Sequence, residues 1–199
     1  MKAVHSRTMM LLLFLLPGAA LAQNSDLAFL VGAAGPSSAT VSEGTVTASV
    51  RVGLQVNYAA QLHETGAGQL YLELPLMIAA HLRGTIENDV TTTISDSLFF
   101  TPGARWRFTP QKRVSFYAAA GVGIGSFATS ISQVGGGVVS NTNDRITTVA
   151  FGFGGGIDFR LTRLLSLRAE GRDFLTRSGL GGDSGKNHPF FMAGIGFHF

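Results

Sequence analysis

The sequence predicts an all-β fold, an eight-stranded antiparallel up-and-down transmembrane β-barrel, from three observations. The final segment alternates, with Phe191, Ala193, Ile195, Phe197 and Phe199 on one side of an extended strand, an aromatic ladder that would invite aggregation in water. The 199 residues include 26 glycines and 15 phenylalanines, and 14% are charged, which favours β structure in an apolar setting over disorder. Seven further segments show the same period-two alternation.

The first 22 residues have the pattern of a secretory signal peptide. Lys2 and Arg7 precede an apolar run over 9–16, and Ala20-Leu21-Ala22 offers a small-residue cleavage site. We therefore expect a mature domain over 23–199, with a formal charge of +1 instead of +3, which gives no reason to expect nucleic acid. The apolar run is shorter than the ~20 residues that a spanning helix needs. The chain contains no cysteine, so a closed hydrogen-bonded barrel would have to stabilise it without disulfides.

The eight predicted strands follow the chain in order, and their faces can be read from residue parity. The second segment places Val50, Val52, Leu54 and Val56 opposite polar residues, and the third places leucines opposite Glu73. The fourth segment sets apolar residues against arginines, and the fifth and sixth each carry three glycines at alternate positions of one face. The seventh alternates apolar with charged residues. The predicted segments are 26–34, 46–60, 69–82, 97–108, 113–127, 144–160, 164–176 and 188–199.

The charged face is predicted to line the lumen, the reverse of a soluble sandwich or lipocalin-like barrel. Its charges are balanced, as in an internal ion-pair network, and aromatic residues recur near strand ends on the apolar face, where a membrane girdle would place them. We expect Glu73 to pair with Arg105 or Arg107, and the remaining acids with the arginines of the seventh segment. The predicted lumen network is Glu73, Arg105, Arg107, Asp158, Arg168, Glu170 and Arg172.

Longer polar stretches alternate with shorter ones between the segments. The longer ones are 35–45, 83–96, 128–143 and 177–187, and the shorter ones are 61–68, 109–112 and 161–163. Long extracellular loops and short periplasmic turns alternate in this way when both termini of a barrel are periplasmic.

With this alternation, and with phrases such as Tyr71-Leu72-Glu73-Leu74-Pro75, the sequence resembles the small outer-membrane β-barrels of the OmpA/OmpX type. The resemblance implies a bacterial outer-membrane location, contact with outer-membrane lipid and lipopolysaccharide, and a monomeric state. It also implies that the barrel-assembly machinery reads Gly194, Phe197 and Phe199 as an assembly signal. The family spans many functions, so the resemblance concerns the fold more than the activity.

Glycines of the fifth and sixth segments permit two interpretations. Gly123-Ile124-Gly125-Ser126-Phe127-Ala128 matches a dinucleotide-binding fingerprint, but the polar, glycine-rich residues that follow cannot form the helix that the pyrophosphate needs. In a barrel, the glycines would form a bare strip of inner wall. That strip either makes room for arginine and tyrosine side chains or lines a cavity for a small apolar ligand. The strip consists of Gly121, Gly123, Gly125, Gly152, Gly154 and Gly156.

No residue pattern predicts an enzyme, a cofactor or a metal site. A lipid A-modifying enzyme would need a His/Ser or His/Ser/carboxylate arrangement at the rim, for which His81, Ser95, Asp96, Ser97 and His188 are the available residues. The five scattered histidines lack metal-ligand spacing. The leading hypothesis is a structural or surface-interaction barrel that is not an open porin. The alternatives are a lipid A-modifying enzyme and a carrier of a small apolar ligand.

Overall fold

A computed structural model describes residues 24–34, 40–42, 45–86, 90–135, 138–178 and 184–199. Within them no helix has the length and apolar character needed to cross a membrane. The predicted signal peptide lies outside these residues. The strands are β1 (Ser25–Ala34), β2 (Thr40–Ser42), β3 (Thr45–Thr65), β4 (Gly68–Ile86), β5 (Val90–Phe100), β6 (Gly103–Phe108), β7 (Val114–Gly135), β8 (Val138–Arg160), β9 (Leu165–Ser178) and β10 (Ser184–His198).

These strands close into one eight-stranded antiparallel barrel, which confirms the predicted fold class. The order around the wall is β1, β3, β4, β5 with β6, β7, β8, β9 and β10, and β10 returns to β1 with Leu27 opposite Phe197. The short β2 extends the edge of β3 and is not part of the closed wall. Among the described residues, the pairing of β10 with β1 leaves no free edge in the part of the wall that all eight strands share, the condition for a sheet that crosses a bilayer.

One strand of the wall is divided into β5 and β6 by an interruption at Thr101 and Pro102. Proline has no N–H to give to a neighbouring strand, and here its carbonyl oxygen accepts a 3.1 Å bond from the Val122 N–H. The backbone approaches β7 closely at this point, because a Cβ on Gly121 would lie 2.6 Å from that carbonyl oxygen. Glycine at 121 therefore permits the interruption.

The barrel has charges inside and apolar side chains outside. Arg105 and Arg168 are 0% and 2% exposed, whereas Leu54 and Phe191 are 61% and 68% exposed. A soluble protein would hide such a continuous apolar surface, so this surface is suited to face lipid.

We call the two ends of the barrel the turn end and the loop end. The turn end carries the turns at 66–67, 109–113 and 161–164, together with Asn24 and Phe199. The loop end carries the connections between β1 and β3, β4 and β5, β7 and β8, and β9 and β10.

Several predicted loops are wrong, because they are largely strand. The stretches 83–96 and 128–143 continue β4, β5, β7 and β8 as paired hairpins, with Ile86 opposite Val90 and Gly135 opposite Val138. The predicted turn over 61–68 is also mostly strand, with a bulge between Gln61 and His63. Threonine, valine and isoleucine favour strands, so polar residues among them do not by themselves mark a change of backbone.

Candidate functional site

The half of the lumen nearer the turn end contains a compact layer of charged side chains. Asp26 on β1 is at its centre: its carboxylate accepts bonds of 3.1 and 3.0 Å from Arg105, 2.6 Å from Arg107 and 3.3 Å from Arg168. Asp158 on β8 accepts a 3.0 Å bond from Arg107 and bonds of 2.6 and 2.9 Å from Arg168. These bonds link strands from opposite sides of the wall.

A second group continues the layer toward the loop end. Arg172 on β9 donates from Nη2 to both oxygens of Glu73 at 3.0 Å and from Nε to Glu170 at 2.7 Å. Glu170 also accepts a 2.5 Å bond from the Tyr117 hydroxyl and a 3.0 Å bond from Gln55. Arg105 Nε lies 3.3 Å from Glu73, so the two groups are connected.

Tyrosine rings cover the guanidinium groups. Arg107 Cζ lies 4.9 Å from the Tyr71 ring centre, and Arg105 and Arg168 each lie 5.2 Å from that of Tyr117. Such contacts stabilise a cation removed from water. Four carboxylates thus face four arginines in this layer, all at most 4% exposed. The balance matters because an unpaired buried charge is strongly destabilising.

The structure brings all seven predicted network residues together and adds Asp26, which sequence reasoning missed. The alternation of the first segment could have identified Asp26, because Leu27 and Phe29 face outward and the residues between and before them therefore face inward. As expected, Glu73 pairs with Arg105, Asp158 with Arg168 and Glu170 with Arg172. Two contacts were not expected: Glu73 also binds Arg172, and Arg107 binds the two aspartates.

An apolar layer fills the lumen on the loop side of the charges and was also missed. The Phe99 ring stacks on Phe174 with centres 4.4 Å apart and meets Phe127 edge-on at 5.5 Å. The layer consists of Leu30, Met77, Ala79, Phe99, Phe127, Ala150, Phe174, Phe190 and Met192. Its phenylalanines occupy inward parity positions, which is the signal that could have identified it.

The predicted glycine strip is present, with Gly121 opposite Gly152 and Gly154 opposite Ala119. Side chains occupy the space in front of it. A Cβ on Gly152 would meet Thr101 Oγ1 at 2.6 Å and Phe174 at 3.3 Å, and one on Gly156 would meet the Tyr117 ring at 2.5 Å. The fingerprint at 123–128 lies within β7, where no helix begins, so the dinucleotide interpretation has no support.

The residues considered for lipid modification fall into two groups. His81 and Ser95 are register partners on β4 and β5, and their side chains lie outside what the structure describes. Ser97 donates to the Ala79 carbonyl at 3.4 Å, and His188 packs its ring 5.6 Å from Phe99 and contacts Thr176 Oγ1 at 3.2 Å. Among the described residues, no three potential ligands are grouped to hold a metal ion.

The predicted assembly residues lie on the seam that closes the barrel. Gly194 and Phe197 pair with Leu30 and Leu27 of β1. The Phe199 carbonyl accepts backbone bonds of 3.1 and 3.2 Å from Asn24 and Ser25, and the Phe199 N–H donates to Ser25 at 2.9 Å. The Phe199 backbone thus contributes to closure apart from its exposed ring. Recognition of these residues by an assembly machinery stays a prediction.

A closed barrel with buried charges and an apolar exterior defines an integral membrane protein of the outer-membrane type. In agreement, the sequence matches the family described as Outer membrane protein beta-barrel domain over residues 8–199. The chain belongs to this family and, with it, to the bacterial outer membrane. No curated protein matches the sequence.

The solved structures that resemble this chain are distant from it in sequence. Neisserial surface protein A is 14% identical, with a TM-score of 0.50, and the match covers 88% of this chain and 97% of that one. The outer membrane protease OmpT from Escherichia coli is 6% identical at a TM-score of 0.55, covering 89% and 97%. The attachment invasion locus protein Ail of Yersinia pestis is 16% identical, with a TM-score of 0.48, and the match covers 88% of this chain and 97% of that one. At these identities the likeness concerns the fold alone.

Proposed function

We propose that the protein is a closed, non-enzymatic outer-membrane barrel with a structural or surface-interaction role, and not an open porin. The observation that carries this proposal is the filling of the lumen in two successive layers. An eight-stranded barrel encloses a space about as wide as its own side chains. Here arginine–carboxylate pairs occupy one half of that space, and stacked phenylalanines and methionines occupy the half toward the loop end.

The lengths of the strands support a surface role. A transmembrane β-strand needs about 9–11 residues. β7 and β8 have 22 and 23 residues, so roughly half of each extends beyond the bilayer at the loop end. We propose that this end faces the outside and that both termini are periplasmic. The extended hairpins then present β-sheet to the surroundings of the cell, with lipopolysaccharide as their nearest neighbour.

Planar bilayer recordings test the closed lumen. We expect the purified monomer to give at most small, irregular currents, because buried side chains of both layers occupy the lumen. A variant with Phe99, Phe127 and Phe174 replaced by alanine removes most of one layer and should still conduct poorly, since the charged layer remains. Large, steady, porin-like channels from the unmodified protein would overturn the proposal.

The alternative is a lipid A-modifying enzyme, which the register pairing of His81 with Ser95 favours. Mass spectrometry of lipid A from cells with and without the protein separates the two functions. The enzyme would replace our proposal if the acyl chains of lipid A differ between cells with and without the protein, and if His81→Ala abolishes that difference while His63→Ala preserves it. The exposed His63 is the matched control, because it lies at the opposite end of the barrel.

A carrier of a small apolar ligand receives less support. The glycine strip would have to line a cavity, whereas the side chains of Thr101, Phe174 and Tyr117 stand in front of it. A structure of the protein purified from native membranes that shows a ligand against Gly152 would favour the carrier.

A further inference from the structure

Two arginines lie opposite each other at the turn end, on the inner face of the wall. Arg160 ends β8, and its N–H donates to the carbonyl of Arg113 at 2.8 Å, which continues the β7–β8 ladder by one pair. Arg113 lies two residues before Ser115, which is 5% exposed, and Arg160 lies two residues after the lumen residue Asp158. Because alternate residues of a strand share one face, the two cations belong to the mouth of the lumen and not to the lipid face.

Among the described residues, no carboxylate forms an ion pair with either of these arginines. Asp158 is the nearest acid along β8, and it accepts bonds from Arg107 and Arg168. The charged layer holds four acids and four arginines, so it has no spare negative charge. The exposed Glu64 is separated from β7 by β4 and β6 and accepts a 3.2 Å bond from Gln61. Like charges directly opposite each other destabilise a sheet, so an anion between the two arginines would be stabilising.

Two further polar side chains extend the same surface along the inner wall. Ser166 on β9 is the register partner of Arg160 and is fully buried. Its Oγ lies 3.0 Å from Nε2 of His198, which is partly buried and pairs with Asp26 at the seam that closes the barrel. Hydroxyl and imidazole groups can both donate hydrogen bonds to an oxyanion. The arginine pair is therefore continued by hydrogen-bonding groups on the two neighbouring strands.

A buried donor that the protein does not use lies close to Ser166. Arg168 is 2% exposed and donates from Nε and Nη2 to the two aspartates, but its Nη1 makes no hydrogen bond to the described residues. A Cβ on Gly196 would lie 2.8 Å from Ser166 Oγ and 3.8 Å from Arg168 Nη2, so both groups border one point of the inner wall. Buried donors are normally satisfied, and water or an ion can do so where the protein does not. This part of the wall therefore offers more donors than its own acceptors occupy.

We propose that this row of side chains binds a small, doubly charged oxyanion, with a phosphate group as its preferred ligand. The row consists of Arg113, Arg160, Ser166 and His198. Guanidinium groups bind phosphate oxygens through parallel hydrogen bonds, and a phosphate group carries about −1.5 to −2 charges at neutral pH, which matches the two arginines. Because the row shares the lumen face, the ligand enters from the aqueous mouth, as inorganic phosphate or a soluble phosphate ester. The site depends neither on the proposed function nor on the orientation of the barrel.

An NMR titration with inorganic phosphate tests the site. The refolded full-length mature protein is kept in a maltoside detergent, which contains no phosphate, and phosphate replaces chloride at constant ionic strength. We expect saturable shifts of the backbone amide signals of Arg113, Arg160, Ser166 and His198, whereas the signals of the loop end should stay unchanged. Sulfate has the same shape and a similar charge, so it should shift the same signals.

Substitutions locate the binding. Arg113→Gln with Arg160→Gln should weaken the affinity for phosphate at least about ten-fold, since one hydrogen bond between charged groups alone contributes roughly that factor. Ser166→Ala removes a neutral donor and should weaken the affinity less. The matched control is Arg145→Gln with Arg177→Gln, which removes two exposed cations from the loop end and should leave the affinity unchanged. Retained heat-dependent gel mobility shows that each variant is folded.

Three results would overturn the proposal. They are the absence of saturable shifts at the turn end, an undiminished affinity in the Arg113→Gln/Arg160→Gln variant, and an equal loss of affinity in the loop-end control. A lipid headgroup as the source of the phosphate is tested by comparing dihexanoyl phosphatidylglycerol with glycerol 3-phosphate. Tighter binding of the lipid, whose phosphate carries a single charge, would show that hydrocarbon contributes and would refute an aqueous ligand.

Discussion

Replacing Glu73 by alanine tests whether the lumen charges stabilise the barrel. The Glu73 carboxylate is 1% exposed and accepts bonds from Arg172 and Asn57, with Arg105 Nε 3.3 Å away. Its removal changes the layer from four acids and four arginines to three and four. Deleting one partner of a buried pair costs about 3–5 kcal/mol. That is a large share of a typical stability of ~5–15 kcal/mol.

The free energy of unfolding can be measured by urea titration in vesicles, with Trp106 fluorescence and gel mobility as independent probes. Glu64→Ala is the matched control, since Glu64 is exposed and holds one hydrogen bond, so we expect a loss of ~0–1 kcal/mol. Glu73→Gln keeps the size and should still lose most of the stability, whereas Glu73→Ala/Arg172→Ala should lose less than the sum of its parts. Equal urea midpoints for Glu73→Ala and Glu64→Ala would show that the network is not structural.

Three further predictions concern other parts of the barrel. Gly156→Val should lower the free energy of unfolding by ~1–3 kcal/mol, because the valine side chain would collide with the Tyr117 ring and displace its hydroxyl from Glu170. Gly171→Ala is the control and should be near neutral in the same urea titration, since its Cβ would meet Phe191 only at 3.6 Å. Phe199→Ala should refold in detergent yet fail to accumulate in the outer membrane of cells, while Phe191→Ala should insert well. Unheated protein should migrate differently from heated protein on SDS gels, and recovery as a soluble monomer without detergent would contradict the membrane barrel.

The comparison of Phe199 with Phe191 is informative because the two rings are 57% and 68% exposed on the same face. The free energy lost with the lipid contact of each ring is therefore similar, ~1.5–3 kcal/mol. Neither substitution removes the backbone bonds of Phe199 to Asn24 and Ser25. Equal insertion of both variants would mean that the terminal ring serves only in packing.

Residue parity was sufficient to predict the eight strands and their faces. Arginine and glutamate alternate with leucine in β9, and a strand can place them only on opposite sides. Parity cannot give the ends of these strands, because the stretches 83–96 and 128–143 are rich in polar residues and lose the apolar alternation. The pattern therefore predicts loops where β4 with β5 and β7 with β8 form hairpins.

The full set of partners within the lumen could not be predicted, because it depends on how far each strand is shifted along its neighbours. That shift is set when the whole wall closes, and no local pattern encodes it. Glu73 was expected to meet an arginine of the fourth segment. It also meets Arg172 on β9, from across the barrel. The apolar layer was missed for a related reason, since inward phenylalanines far apart in sequence meet only after closure.

The position of Asp26 on the first strand has a consequence for the order of events during insertion. Its partner Arg168 follows 142 residues later, on β9, which β1 approaches only through β10. Before β10 pairs with β1, the arginines of β6 and β9 lack the Asp26 carboxylate as a partner. An open sheet would then expose partly unpaired arginines to hydrocarbon. Joining the first strand to the last therefore completes the wall and neutralises the interior in a single step. We therefore expect a sheet in which β1 and β10 are not yet joined to be disfavoured in the membrane, so that this joining commits the barrel to insertion.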